Sequence, residues 1–229
     1  MVLMLLNFGA IGNVGRRRAK RTICLTNLRQ LTLAWTQFAY DNDGKIVNGD
    51  TETYSVDPTN PCWVRKDWAP GMTLAQKEQA IRAGALWPYC QELKLYKCPT
   101  GLRGVARTYC IVDAMNCKGW DAHRVKLTII TDILNPGERA VFIDDGGFGL
   151  GGWTQYSIYS SGSNRWVWWD PPPIRHEAGT TFSFADGHSE YWKWKDPRTV
   201  EWGETMYSFS PPQPGNPDIT RCQIAAWGK

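Results

Sequence analysis

His176 is followed after nine residues by Asp186-Gly187, with His188 directly beyond, and this is the sharpest pattern in the chain that could carry chemistry. Imidazole and carboxylate together suit zinc or manganese. A metal site would therefore use His176, Asp186 and His188, joined by Asp144 or Asp145 of Ile143-Asp144-Asp145-Gly146-Gly147. Carboxylates with carbonyls would suit calcium instead. The structural reading is the stronger one, because Asp-Gly is the chemistry of a tight hairpin turn and a neighbouring histidine commonly hydrogen-bonds such a turn. Asp41 and Asp43 are weak calcium candidates, since their spacing does not match a full calcium-binding loop.

Hydrolytic signatures are missing. There is no GxSxG elbow and no Cys/His pair with a recognisable local signature, and His176-Glu177 does not extend to HExxH. The glycine-rich stretch at 146–152 lacks the Lys-Ser/Thr that would hold phosphate and metal, so it reads as a loop. No catalytic role is assigned. The chain has thirteen Trp. Trp166, Trp168 and Trp169, beside Asp170-Pro171-Pro172-Pro173, could stack on sugars, but core or subunit packing is the favoured use of these rings. The seven Cys show no CxxC pair and no zinc spacing, which favours redox pairing over metal binding. In an oxidising compartment three disulfides and one free thiol are expected, with Cys90/Cys98 and Cys110/Cys117 as local candidates and Cys24 as the unpaired residue.

The elements that position these residues follow from patterning. With 229 residues and 42% hydrophobic content, the chain can bury one domain and carry an appendage. The net charge of +4 is concentrated in Arg16, Arg17, Arg18, Lys20 and Arg21. Next to an apolar segment such a run marks a membrane edge rather than a nucleic-acid face. Residues 1–15 are uncharged and mostly apolar, yet short of the roughly 20 residues a membrane span needs, so they read as part of a span. The basic run follows them, the reverse of a secretory signal. Residues 16–40 contain no Pro or Gly, and Ile23, Leu28, Leu31, Trp35 and Phe38 recur at helical steps, which predicts one long amphipathic helix ending at Asp41-Asn42-Asp43-Gly44. A long connection over 45–72 leads to a short helix from about Thr73, with Thr73 and Gln76 placed as a capping box. Strand character appears at 106–112, 127–134, 139–143, 154–159, 180–184 and 189–194, the last two forming a hairpin around Asp186-Gly187. The Pro-rich stretch 210–218 predicts an irregular surface tail.

Several stretches taken together resemble the pilin-like proteins described as prepilin-type, processing-associated H-x9-DG proteins, related to type II secretion pseudopilins. The run from Ala19 through Asn27-Leu28-Arg29-Gln30-Leu31 to Asp43-Gly44 looks like the family's helix exit, Leu95-Tyr96-Lys97-Cys98-Pro99 resembles its middle segment, and His176 with Asp186-Gly187 resembles its namesake motif. The family's Gly-Phe-Thr-Leu-Ile-Glu start has no counterpart here, and its Glu is carried over to no residue. The resemblance implies an α+β, pilin-like fold in which a long N-terminal helix (1–44) is packed on a small antiparallel β-sheet head (45–229). It also implies a structural, non-enzymatic subunit that is anchored in the inner membrane, handled by pilus or secretion assembly machinery, and polymerised with itself into a cell-surface or extracellular filament. Assembly would bury residues 1–15 and the face of Ile23, Leu28, Leu31, Trp35 and Phe38 between subunits. By analogy with pseudopilins, Asp144, Asp145 and Asp186 would hold Ca2+. The alternative is a membrane-anchored, non-polymerising module that binds polysaccharide through Trp166, Trp168 and Trp169. No nucleic-acid partner is expected.

Overall fold

The computed structural model describes residues 2–51, 57–117, 126–149 and 151–229, with side chains described from residue 14 onward. The fold is α+β. One helix, α1 (Val2–Asp41), lies across a four-stranded antiparallel sheet whose spatial order matches chain order: β1 (Tyr109–Ile111), β2 (Ala140–Asp144), β3 (Gly179–Phe184) and β4 (Ser189–Lys193). Between helix and sheet the chain adds α2 (Leu74–Arg82), and after the sheet α3 (Pro197–Thr205) and α4 (Pro217–Trp227).

α1 is one unbroken helix of 40 residues, about 60 Å long. It stops where predicted. The Asn42 side chain donates to the Phe38 carbonyl, and Asp43 and Gly44 both take positive φ, turning the chain away from the helix. Its buried positions, Cys24, Leu28, Leu31, Trp35 and Phe38, advance by alternating steps of four and three and form a single stripe. That stripe rests on β3, with β2 and β4 alongside. Small side chains make the close approach possible: Thr181 and Ser183 point from β3 toward the helix, and the Thr32 hydroxyl lies 2.7 Å from that of Ser183. The Ser189 hydroxyl donates to the Leu25 carbonyl.

This packing corrects one expectation from the sequence. Leu28, Leu31, Trp35 and Phe38 are covered by the chain's own sheet, so they are not free to pack between subunits. Only Ile23 of the five is outward, at 50% exposure, together with Leu33 and Tyr40. Residues 14–20, including most of the basic run, are exposed. The apolar side chains of residues 1–13 lie outside the described residues.

The opposite sheet face carries the aromatic core. Phe182 packs edge-on to Trp153 and against Trp192, and Trp168 meets both Trp153 and Trp194. Trp168 is therefore fully buried, while Trp166 and Trp169 are half-buried. A sugar could not reach Trp168.

The capping box of α2 is present, with Thr73 and Gln76 satisfying each other's backbone N–H. The β3–β4 hairpin turns at Asp186-Gly187 as expected, with Gly187 at φ 93°. Two expected strands do not form. Residues 127–134 make single bridges to Met115 and Lys45 and then a 3-10 turn, and 154–159 makes none, the nearest being that of Trp153 to Val112. The expected tail gives way at Pro217 to α4, capped by Asn216.

All seven cysteines are buried thiols, and neither Cys90/Cys98 nor Cys110/Cys117 is bridged. Each thiol is directed elsewhere: Cys90 to the Tyr96 hydroxyl, Cys98 to His176, Cys110 to Asp145, and Cys117 to main-chain carbonyls.

Candidate metal centre

Four potential ligands from four separate segments converge beneath α1. Cys24 comes from the helix, Cys98 from the loop after a 3-10 turn at Leu93–Tyr96, Asp144 from the end of β2, and His176 from the turn that leads into β3. Their ligating atoms all lie within 4.8 Å of one another. Cys24 Sγ is 3.4 Å from Asp144 Oδ2, Cys98 Sγ is 3.3 Å from His176 Nε2, and His176 Nε2 is 3.6 Å from Asp144 Oδ2. The cluster is shielded from solvent: the His176 and Asp144 side chains are 2% and 0% exposed.

Local structure holds each member in place. One turn beyond Cys24, the Asn27 amide donates to the carbonyls of Lys94 and Lys97, tying α1 to the segment that carries Cys98. The Cys98 N–H donates to Thr108 Oγ1 at 2.7 Å, and the Thr100 N–H and hydroxyl both reach the Cys98 sulfur. His176 is aimed inward by a turn in which His176 (φ 46°) and Glu177 (φ 82°) are both left-handed. Such strain in non-glycine residues persists only where surrounding contacts enforce it, and here the Arg175 N–H bonds the Gly179 carbonyl while Tyr191 OH donates to the His176 carbonyl. Asp144 is buttressed from β3, since Thr180 Oγ1 donates to its carbonyl, and the Gly146 N–H donates to its Oδ1.

The electrostatics are strongly perturbed. Burial pushes the Cys24 thiol well up. The neighbouring Cys24 thiol, with His176 and Thr100, holds Cys98 down at about 3 in spite of its burial. Burial raises Asp144 to about 7 against the pull of His176 and Arg175. Burial opposes protonation of His176, but Asp144 and Cys98 carry it to about 9. Burial and mutual proximity thus perturb all four groups at once.

Cys, His and Asp suggest a nucleophilic relay, and the geometry argues against one. In such a relay the carboxylate bonds the ring nitrogen opposite the one facing the nucleophile. Here the thiol and the carboxylate both face Nε2. Convergence on one point is the arrangement of ligands around an ion.

The residues read from sequence divide among three places. Asp144 and His176 are in the cluster. Asp145 points to the other side of β2, where it accepts from the Cys110 thiol and from the N–H groups of Gly147 and Gly149, next to the buried Arg107. Asp186 sits in the β3–β4 turn, and its Oδ1 receives the His188 N–H at 3.1 Å and faces the His188 ring at 2.6 Å. Ala185 is bonded to Arg139, beside the first residue of β2, whereas Asp144 is the last, about 13 Å along the strand. One ion cannot touch Asp144, Asp145 and Asp186 together. Cys24 and Cys98 were not expected as ligands, because no short motif links four segments so far apart in the chain.

No known family, curated protein or solved structure matches the chain. Among the described residues, no helix is long and apolar enough to cross a membrane.

Proposed function

We propose that the chain is a pilin-like structural subunit that polymerises into a type IV pilus-like or pseudopilus-like filament at the cell surface. It would be held in the inner membrane before assembly and would act without catalysis. The observation that carries this reading is the division of α1: its second half is sealed onto the sheet, while residues 14–20 are exposed and meet the head only at its margin, where Arg17 lies 3.7 Å from Glu177. A helix that serves as core at one end and stays exposed at the other presents a surface for copies of itself. Because Leu28, Leu31, Trp35 and Phe38 are covered, the contacts between copies fall to the exposed N-terminal half and to outward Ile23 and Leu33.

Electron microscopy of filaments sheared from native cells, or assembled from the full chain, tests the proposal. A tube with the N-terminal halves of α1 bundled at its axis supports it. Dispersed monomers under all assembly conditions would overturn it in favour of an anchored polysaccharide-binding module. Trp169 is the ring placed for that role, set between Tyr156 at 4.7 Å and the exposed Phe209 at 5.2 Å.

A further inference from the structure

We propose that Cys24, Cys98, Asp144 and His176 bind one zinc(II) ion, which fastens α1 to the head. The inference is independent of polymerisation, because it rests on the cluster alone.

The distances fit a tetrahedral ion. With bonds of about 2.3 Å to sulfur and about 2.0–2.2 Å to nitrogen or oxygen, ligand atoms around zinc stand about 3.3–3.8 Å apart. The separations Cys24–Asp144, Cys98–His176 and His176–Asp144 are 3.4, 3.3 and 3.6 Å, and all other pairs fall within 4.8 Å. Two sulfurs, one imidazole nitrogen and one carboxylate oxygen are donors that favour zinc over calcium or magnesium, both of which prefer all-oxygen shells. Four protein ligands leave no open position, which defines a structural site rather than a catalytic one.

The surroundings complete the site. Ligand sulfurs and carboxylates in metal centres are themselves hydrogen-bonded by outer groups. Here the Thr181 hydroxyl lies 3.0 Å and the Tyr109 hydroxyl 3.3 Å from Cys24 Sγ, and the Thr100 hydroxyl lies 3.1 Å from Cys98 Sγ. Charge also balances. Two thiolates and a carboxylate around a divalent ion leave one negative charge, and the Arg175 guanidinium, 3.8 Å from Asp144 Oδ2, supplies the matching positive one. Zinc takes two thiolates, a neutral imidazole nitrogen and a carboxylate, so every proton held by the thiols, His176 Nε2 and the Asp144 carboxyl leaves to solvent, with no redox change.

The test uses the full chain purified under reducing, anaerobic conditions. Elemental analysis should find one zinc per chain, and cobalt(II) added to the zinc-depleted protein should give thiolate-to-metal charge-transfer absorption with intense tetrahedral ligand-field bands. Cys98→Ser and His176→Ala should abolish stoichiometric binding. Thr181→Val, which leaves all four ligands in place, should weaken it about 10–100-fold. Cys222→Ser, away from the site, should bind normally and shows that loss is not a general effect of removing a buried thiol. Zinc should raise the Tm of the depleted wild-type protein and leave that of Cys98→Ser unchanged. Two results would overturn the proposal: a wild-type chain with seven titratable thiols that takes up neither zinc nor cobalt, or peptide mapping that shows a Cys24–Cys98 disulfide in the native protein.

Discussion

Thr32, in the last quarter of α1, and Ser183, the penultimate residue of β3, place their hydroxyls 2.7 Å apart where helix and strand meet. Two turns earlier on the same stripe, Cys24 meets Thr181 of the same strand. The helix therefore tracks along β3, and its register against the strand is set by polar contacts while its adhesion comes from Leu28, Leu31, Trp35 and Phe38.

Removing Trp35 should loosen that seam most. It is fully buried, and its truncation to Ala leaves a large cavity, so Trp35→Ala should destabilise the protein by about 3–5 kcal/mol. Leu33 is 55% exposed on the other side of the helix, and Leu33→Ala should change stability by less than about 0.5 kcal/mol. Urea unfolding followed by tryptophan fluorescence measures both. Equal effects would show that the helix is not docked through this face.

A second set of contacts ties the loop near Asp67 to the sheet. Arg107 grips Asp67 with two parallel hydrogen bonds, at 3.0 and 3.2 Å, and also donates to the carbonyls of Tyr109 and Gly149. Both side chains of the pair are nearly inaccessible. Asp67→Ala would leave the guanidinium buried without its carboxylate and should lower stability by about 3–5 kcal/mol, as read from denaturant midpoints. Replacing both residues by apolar ones of similar volume should recover part of that loss.

Stability should fall as pH rises toward neutrality, through Asp170. Burial raises this carboxyl to about 7, against the hydrogen bond from the Thr154 N–H, while in the unfolded chain it titrates near the ordinary value of 3.8. Between those values the folded state holds the extra proton, so each step up in pH favours unfolding, and the effect is complete above about 7. Asp170→Asn keeps a neutral side chain at all pH values and should flatten this slope. Thermal unfolding at intervals from pH 4 to pH 7.5 measures it, and an unchanged slope in the variant would assign the titration elsewhere.

The same substitution at two glycines should act in opposite directions. A Cβ on Gly179 would collide with the Trp192 carbonyl oxygen on β4, so Gly179→Ala should disrupt the hairpin and lower the Tm. At Gly15, in the exposed part of α1, a Cβ meets nothing within 4 Å, and Gly15→Ala should favour helix by up to about 1 kcal/mol. Far-UV circular dichroism and Tm together check the pair.

The parts of the fold legible in the sequence were those that carry local signals. The stop at Asp43-Gly44, the Thr73–Gln76 capping box and the Asp186-Gly187 hairpin each depend on residues within a few positions of one another. Residues 127–134 and 154–159 have strand-like composition, but whether a segment finds a long partner is decided by the tertiary fold: the first finds only isolated bridges and the second none. α3 and α4 were missed although both have a start signal, Asp196-Pro197 and Asn216-Pro217. The same dipeptides also open turns, and at 210–218 the surrounding prolines favour an irregular tail. The site was half legible. His176 and Asp144 carry recognisable ligand chemistry, but Cys24 and Cys98 become their neighbours only once the helix is laid on the sheet.

The interval between His176 and Asp186-Gly187 is a ruler. His176 stands in the turn before β3 and Asp186-Gly187 in the turn after it, so the nine residues between them span one strand and its two approaches. Shortening that span by a single residue would swap the faces of β3. Aromatic rings would then face α1 where Thr181 and Ser183 now let it settle, and the helix would be lifted off the thiol, carboxyl and imidazole groups that meet beneath it. In this chain the length of β3, more than that of any loop, therefore fixes where α1 settles.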